Sequence, residues 1–253
     1  MRGTARSLSS LAASLIALAL LSPASSAGAA PAKKPDYAKL LAAPDRTDAD
    51  RQNDQRRHAA QLLAFIDCRP GMKELDMAAD AGYSTELMAR CVGPKGKVYA
   101  QNAPGLPQKP MDAFNERMKK PVMQNVTPDM QPFDNPIPQG VKNLDLITFL
   151  FGYHDTTYLP VDRAKMDKAM FDALKHGGTL VVTDYAAAPG APVTTGKQFH
   201  RLDEAIEKKE IEAAGFKLAS EANFLRNPKD THDFIIFGSK TPIDIYVLKF
   251  RKP

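Results

Sequence analysis

Lys73-Glu74-Leu75-Asp76-Met77-Ala78-Ala79-Asp80-Ala81-Gly82-Tyr83 is the stretch whose reading decides the fold. It reads as a short buried strand ending in an acid, a tight turn of small residues, and the start of a helix. Ser84, Thr85 and Glu86 suit a helix start, and Leu87, Met88 and Cys91 fall on one helical face. Gly93-Pro94 then stops the helix, because glycine accepts a left-handed cap and proline cannot extend the hydrogen-bond ladder. Strand, turn and helix in this order open a nucleotide-binding α/β unit, in which a ligand lies against backbone and faces free helix N–H groups. On the pattern D-x-G-x-G-x-G, Asp76 takes the place of the acid and Gly82 that of the last glycine. Ala78 and Asp80 stand where the first two glycines would be.

Upstream, Thr47 and Asp50 form a capping-box pattern, and Ala59, Leu62, Leu63 and Ile66 give the helix that follows an apolar face. Downstream, Lys97–Asn102 reads as a second strand, closed by Asn102 where a ribose-binding acid is usual. Val122–Val126 is expected as a third strand, and Leu144–Phe151 as a central strand covered on both faces. The run ends at Tyr153-His154-Asp155, the densest group of reactive side chains. Asp162 caps a helix expected to end at Gly177-Gly178, and Thr179–Asp184 reads as another buried strand. The Pro/Gly-rich segment 186–197 is expected to act as a lid, followed by a helix from about His200. Residues 216–224 and 245–250 read as two closing strands; the segment 233–237 reads equally as strand or packed loop.

Alternating strands and helices imply a mainly parallel sheet with helices on both faces. Ligands then sit beyond the carboxyl ends of the strands, where Asp76, Asp80, Asn102, Tyr153, His154, Asp155 and Asp184 all fall.

The chain has 253 residues, enough for one large α/β domain. Arg2 and Arg6 precede an apolar run, Leu11–Leu21, too short to span a bilayer, and Ala27-Gly28-Ala29 fits a cleavage signal, with cleavage after Ala27 as the alternative. The reading is a signal peptide over 1–29, a flexible tether over 30–44 and one domain over 45–253, in a periplasmic or secreted protein without stable membrane insertion after cleavage. The formal charge of +5 falls to +3 without Arg2 and Arg6, and no basic run interleaves with aromatics, so nucleic acid is not an expected partner. Five histidines show no spacing that resembles a metal set, so no metal is expected. Cys68 and Cys91, the only cysteines, both fall at the edge of the sheet away from the ligand; a disulfide and two buried thiols both remain open.

At this point the chain resembles the class I S-adenosylmethionine-dependent methyltransferases, and most of all an exported bacterial group of predicted methyltransferases. The resemblance runs from about Asp45 to Pro253. It is carried by Gly82–Leu87, Val92–Tyr99, Tyr153-His154-Asp155, Ala173–Gly178, His200–Glu204, Ala213–Phe216 and Lys249–Pro253. It implies seven strands with the last antiparallel, S-adenosylmethionine as cofactor and a small-molecule substrate. By position, Asp76, Ala78, Asp80, Gly82 and Tyr83 would flank the methionyl part and Asn102 would meet the ribose. His154 would be the base, oriented by Asp155, with Tyr153 lining the pocket; Asp184, His200 and Arg201 would face the substrate. Ala78 and Asp80 depart from the glycine pattern, which keeps open a non-catalytic periplasmic binding protein that lost the cofactor. A nicotinamide-dependent oxidoreductase is a third reading.

Overall fold

The structure, a computed structural model, describes residues 33–253 together with Met1 and Gly3. The expected signal peptide over 1–29 lies outside the described residues. The elements in chain order are α1 (Tyr37–Leu41), α2 (Asp48–Arg56), α3 (Ala59–Ile66), β1 (Lys73–Met77), α4 (Tyr83–Val92), β2 (Lys97–Asn102) and α5 (Gln108–Met118). They continue with β3 (Val126–Met130), β4 (Leu144–Leu150), α6 (Arg163–Ala173), β5 (Leu174–Tyr185), α7 (Thr195–Phe199), α8 (Glu204–Ala213), β6 (Lys217–Ala222) and β7 (Ile245–Arg251).

The seven strands form one sheet in the order β3-β2-β1-β4-β5-β7-β6. All neighbours pair in parallel except β7, which runs antiparallel to both β5 and β6. Successive side chains on a strand face opposite ways, so each central strand feeds two cores. On one face Leu146, Val181 and Val247 meet Leu62, Leu63, Leu87 and Met88. On the other, Ile147, Leu180, Leu248 and Phe250 meet Met166, Met170, Ile211 and Phe216. Burying each such aliphatic side chain contributes roughly 1.5–3 kcal/mol.

Several boundaries differ from expectation. The tether is not flexible throughout: Tyr37–Leu41 is helical, capped by Asp36, and Tyr37, Leu40 and Leu41 pack on the core. The capping box of Thr47 and Asp50 forms, but its helix ends at Arg56, and His58 in a left-handed conformation starts α3 afresh. Pro121 begins a 3₁₀ turn over Pro121–Asn125, which displaces the third strand to Val126–Met130. α6 ends at Ala173 rather than at the glycine pair, because Leu174 already pairs with Leu144 and β5 runs on through Gly177-Gly178. The segment 233–237 is not a strand.

Cys68 precedes β1 and Cys91 closes α4. The two are joined by a disulfide, Cα atoms 6.2 Å apart, at the sheet edge away from the strands' carboxyl ends. Among the described residues no helix is long and apolar enough to cross a membrane.

Candidate functional site

The turn after β1 keeps the backbone of a glycine turn without two of its glycines. Ala78, Asp80 and Gly82 have φ of 52°, 50° and 77°, three left-handed steps that cost an L-residue roughly 1–2 kcal/mol each. Gly82 is needed there, since a Cβ would lie 3.0 Å from the Phe114 ring. Ala78 and Asp80 are held by the end of β2. The Gln101 side-chain oxygen accepts from Ala78 N–H at 2.9 Å, and Asn102 Oδ1 accepts from Asp80 N–H at 2.7 Å. Asn102 Nδ2 returns a bond to the Asp80 carbonyl at 3.2 Å.

These bonds revise two expected roles. Asn102 is buried and spends its amide on the Asp80 backbone, so it clamps the turn rather than meeting a ribose. Asp76 is also buried. It accepts from the hydroxyls of Ser84, Thr85 and Thr148 at 2.8, 2.7 and 2.9 Å, fixing the start of α4 to the strand end instead of facing a ligand. Asp80 stays exposed. Tyr83 donates its hydroxyl to Asp54 at 2.6 Å.

Beside the turn stands Arg57, which the sequence reading passed over. Its guanidinium lies 5.0 Å from the Tyr83 ring centre and 4.5 Å from that of Phe151, within cation–π range. Among the described residues it makes no hydrogen bond or ion pair. Burial pushes its pKa down, while Tyr185, Tyr83 and Asp80 favour the charge. The only sequence signal is the Arg56-Arg57 pair ending an otherwise polar helix.

Arg57 forms part of the wall of a cavity of about 580 Å³ at the carboxyl ends of β4 and β5. Phe151, Tyr185, Phe224 and Phe237 supply aromatic surface; Arg56, Arg57, Arg226 and Lys240 supply cations, and no carboxylate side chain lines it among the described residues. Phe151 sits just past β4 at φ 65°, held by its N–H to Thr183 O at 2.7 Å.

The second cluster follows β4. Tyr153–Thr157 is a 3₁₀ turn that carries His154 into the protein. His154 Nδ1 donates to Asp184 Oδ1 at 2.7 Å, its backbone N–H to Asp184 Oδ2 at 2.7 Å, and its Nε2 lies 3.1 Å from Asp155 Oδ1. Burial opposes charge on the ring, but Asp184 and Asp155 outweigh it and push the pKa up to about 10. That is a correction for His154 as base: it is buried, Asp184 engages Nδ1 and Asp155 lies against Nε2, so neither ring nitrogen faces the cavity to take a proton from an acceptor. Asp155 contacts His154 at Nε2, whereas the bonds that orient the ring come from Asp184.

Three further roles do not fit. Tyr153 is fully buried with its hydroxyl between Asp167 (2.9 Å) and Glu210 (3.0 Å), so it lines no pocket. Arg201, equally buried, makes a two-pronged pair with Asp230 (2.9 and 3.1 Å) and donates to Ala186 and Phe234 carbonyls, which pins the 223–244 loop to the end of β5. Asp184 is enclosed and, among the described residues, accepts from His154 and Tyr185 only. His200, half-buried, does reach the cluster: its Nδ1 is 3.5 Å from Asp155 Oδ1, and its ring centre is 4.6 Å from that of Phe237 on the cavity wall. The expected lid is partly fixed. A Cβ on Gly196 would fall 2.0 Å from Thr157 Oγ1, and Gly190 N–H donates to Asp203 Oδ2 at 2.8 Å, so the segment is tied down at both points.

No family model matches the chain. It is similar to the ubiquinone/menaquinone biosynthesis C-methyltransferase UbiE of Cronobacter sakazakii, 26% identical over 172 residues, 66% of each chain. It is also similar to the UbiE of Shewanella sediminis, 29% identical over 119 residues, covering 47% of this chain and 44% of that protein. The chain thus spans between about half and two thirds of the length of these curated relatives. A SAM-dependent methyltransferase structure from Aquifex aeolicus superposes with a TM-score of 0.58 at 19% identity, over 87% of this chain and all of that one. Aeropyrum pernix fibrillarin, solved with natively bound S-adenosyl-L-methionine, gives 0.52 at 15% identity over 77% and 74% of the two chains. The fold is that of the class I methyltransferases. The UbiE relatives are C-methyltransferases, the Aquifex protein is a SAM-dependent methyltransferase and the Aeropyrum protein binds S-adenosyl-L-methionine; none favours the non-catalytic reading.

Proposed function

We infer that this chain is an S-adenosylmethionine-dependent methyltransferase whose acceptor is an apolar, ring-bearing small molecule with an anionic group. The observation that carries the reading is the turn Ala78–Gly82: it holds three left-handed steps at the carboxyl end of β1, and Arg57, stacked on Tyr83 where the turn ends, also lines a cationic, aromatic cavity. The residues present fit the cofactor there, since the turn keeps the close-approach backbone despite two missing glycines. When bound, the cofactor supplies a methyl group on a positively charged sulfur.

The chain's own residues bind and orient. The turn offers backbone to the methionyl part, and Tyr83 and Phe151 present ring faces. Arg57, a cation without an anionic hydrogen-bond partner among the described residues, is suited to a carboxylate. Phe224 and Tyr185 provide a platform for the acceptor, and Arg56 and Lys240 favour its negative end. His154 bridges Asp155 and Asp184 through its two ring nitrogens. The Cys68–Cys91 bridge supports the further reading that the protein works in an oxidising compartment, periplasmic or secreted.

Transfer of a labelled methyl group to a panel of aromatic acids and their neutral esters tests the substrate class. Acids are expected to be the better acceptors. Equal use of the esters, or a preference for them, would contradict the anionic requirement.

A further inference from the structure

The geometry points to a metal site at His154, Asp155 and His200, one that takes a divalent transition ion such as Zn²⁺ at the wall of the cavity. The three ligand atoms, His154 Nε2, Asp155 Oδ1 and His200 Nδ1, lie within 4.8 Å of one another. Two of the separations are 3.1 Å and 3.5 Å. For zinc bonds of about 2.0–2.1 Å, the edge of a tetrahedron is about 3.3–3.4 Å, so both separations already bracket the ligand spacing of a closed coordination sphere.

The supporting shell is also present. Asp184, fully buried, takes the Nδ1–H of His154 at 2.7 Å and so leaves Nε2 as the atom aimed at Asp155 and His200. A carboxylate behind a ligating imidazole is the arrangement that fixes ring orientation and raises ligand basicity. His200 is held at φ 54°, a left-handed conformation for a side chain other than glycine, with its ring edge-on to His154 at 5.4 Å and to Tyr158 at 5.7 Å. Two imidazoles and one carboxylate are a borderline-soft donor set, which suits zinc, iron or cobalt better than magnesium or calcium.

Three protein ligands leave a coordination position open. The cluster abuts the cavity through Phe237, against His200, and Tyr185, whose ring centre is 5.8 Å from that of His154. The open position would take water or an oxygen of the acceptor; only this last step rests on the methyl-transfer reading. The sequence showed no metal spacing because His200 is 46 residues from His154 and joins it only through the fold.

The test uses the full chain, stripped with chelator and titrated with ZnCl₂ by calorimetry in the absence of cofactor, with Co²⁺ as a spectroscopic substitute. One ion per chain at micromolar affinity or tighter is expected, with visible absorption from bound Co²⁺. H200A and D155N should each weaken binding at least about tenfold, whereas H176A, whose ring meets the Pro253 carbonyl away from the cluster, should leave it unchanged. Circular dichroism confirms that each variant is folded; D155N, at a half-exposed position, serves if H200A is not. Absence of stoichiometric binding overturns the proposal, as does binding that survives both H200A and D155N. Because the readout involves no S-adenosylmethionine, its failure is distinct from failure of the methyltransferase assignment.

Discussion

Reduction of the Cys68–Cys91 bridge should lower stability by about 3.4 kcal/mol in the chain-entropy relation, worked from the sequence separation of 23 residues between the cysteines. The closed loop contains β1, the turn and nearly all of α4, so opening it frees in the unfolded state the same segment that forms the candidate site. Both cysteines are buried, and reduction leaves their sulfur atoms in place. The loss should therefore reflect chain freedom rather than a cavity. Urea unfolding with and without reductant, analysed for midpoint and slope, gives the difference directly. C68A/C91A should lose more than the reduced protein, because it also removes two buried sulfurs. Thiol titration of the denatured, unreduced protein should find none free. Two free thiols per chain, or a midpoint indifferent to reductant, would refute the reasoning.

Asp167 carries a pH prediction. Burial, aided by the charge of Glu210 and opposed by the Tyr153 hydrogen bond, pushes its carboxyl up to about 7, whereas the unfolded chain ionises it near 3.9. The fold therefore holds this proton more tightly, and its contribution is complete below about pH 4 and lost as pH rises through about 7, on the order of 4 kcal/mol at most. D167N should be more stable than the parent at pH 8, with the advantage shrinking towards pH 4; a gap in urea midpoints that does not change with pH would contradict this. A78G/D80G should raise stability by about 1 kcal/mol, since relief of left-handed strain exceeds the added freedom of glycine in the unfolded chain. A lower melting temperature for that variant would show that the side chains serve the folded turn.

The fold was legible where hydrophobic pattern and turn chemistry agree. β1, β2 and β4 with the helix stop at Gly93-Pro94 stand within a residue of expectation, because apolar runs and glycine or proline signals mark both ends. Boundaries failed where pairing overrode a local stop, as at Gly177-Gly178 inside β5, and where a proline-started 3₁₀ turn took residues expected in a strand, as at Pro121 before β3. The site was legible as a set of strand ends but not in its roles. Asp76, Asn102, Tyr153 and Arg201 looked like ligand contacts, yet each is consumed by buried partners. Arg201 meets Asp230, 29 residues away, a partnership that no spacing announces. Arg57 was invisible for the converse reason: its importance lies in having two rings and, among the described residues, no anionic hydrogen-bond partner, which only the assembled fold reveals.

The central claim is that the turn Ala78–Gly82, with Arg57 beside it, seats S-adenosylmethionine. Calorimetric titration of the full chain with that ligand tests it most directly, with R57A run in parallel. The account predicts saturable binding at one site per chain and a loss of at least about tenfold in R57A, the effect of removing a hydrogen bond to a charged group. No heat and no thermal shift with millimolar ligand would contradict it.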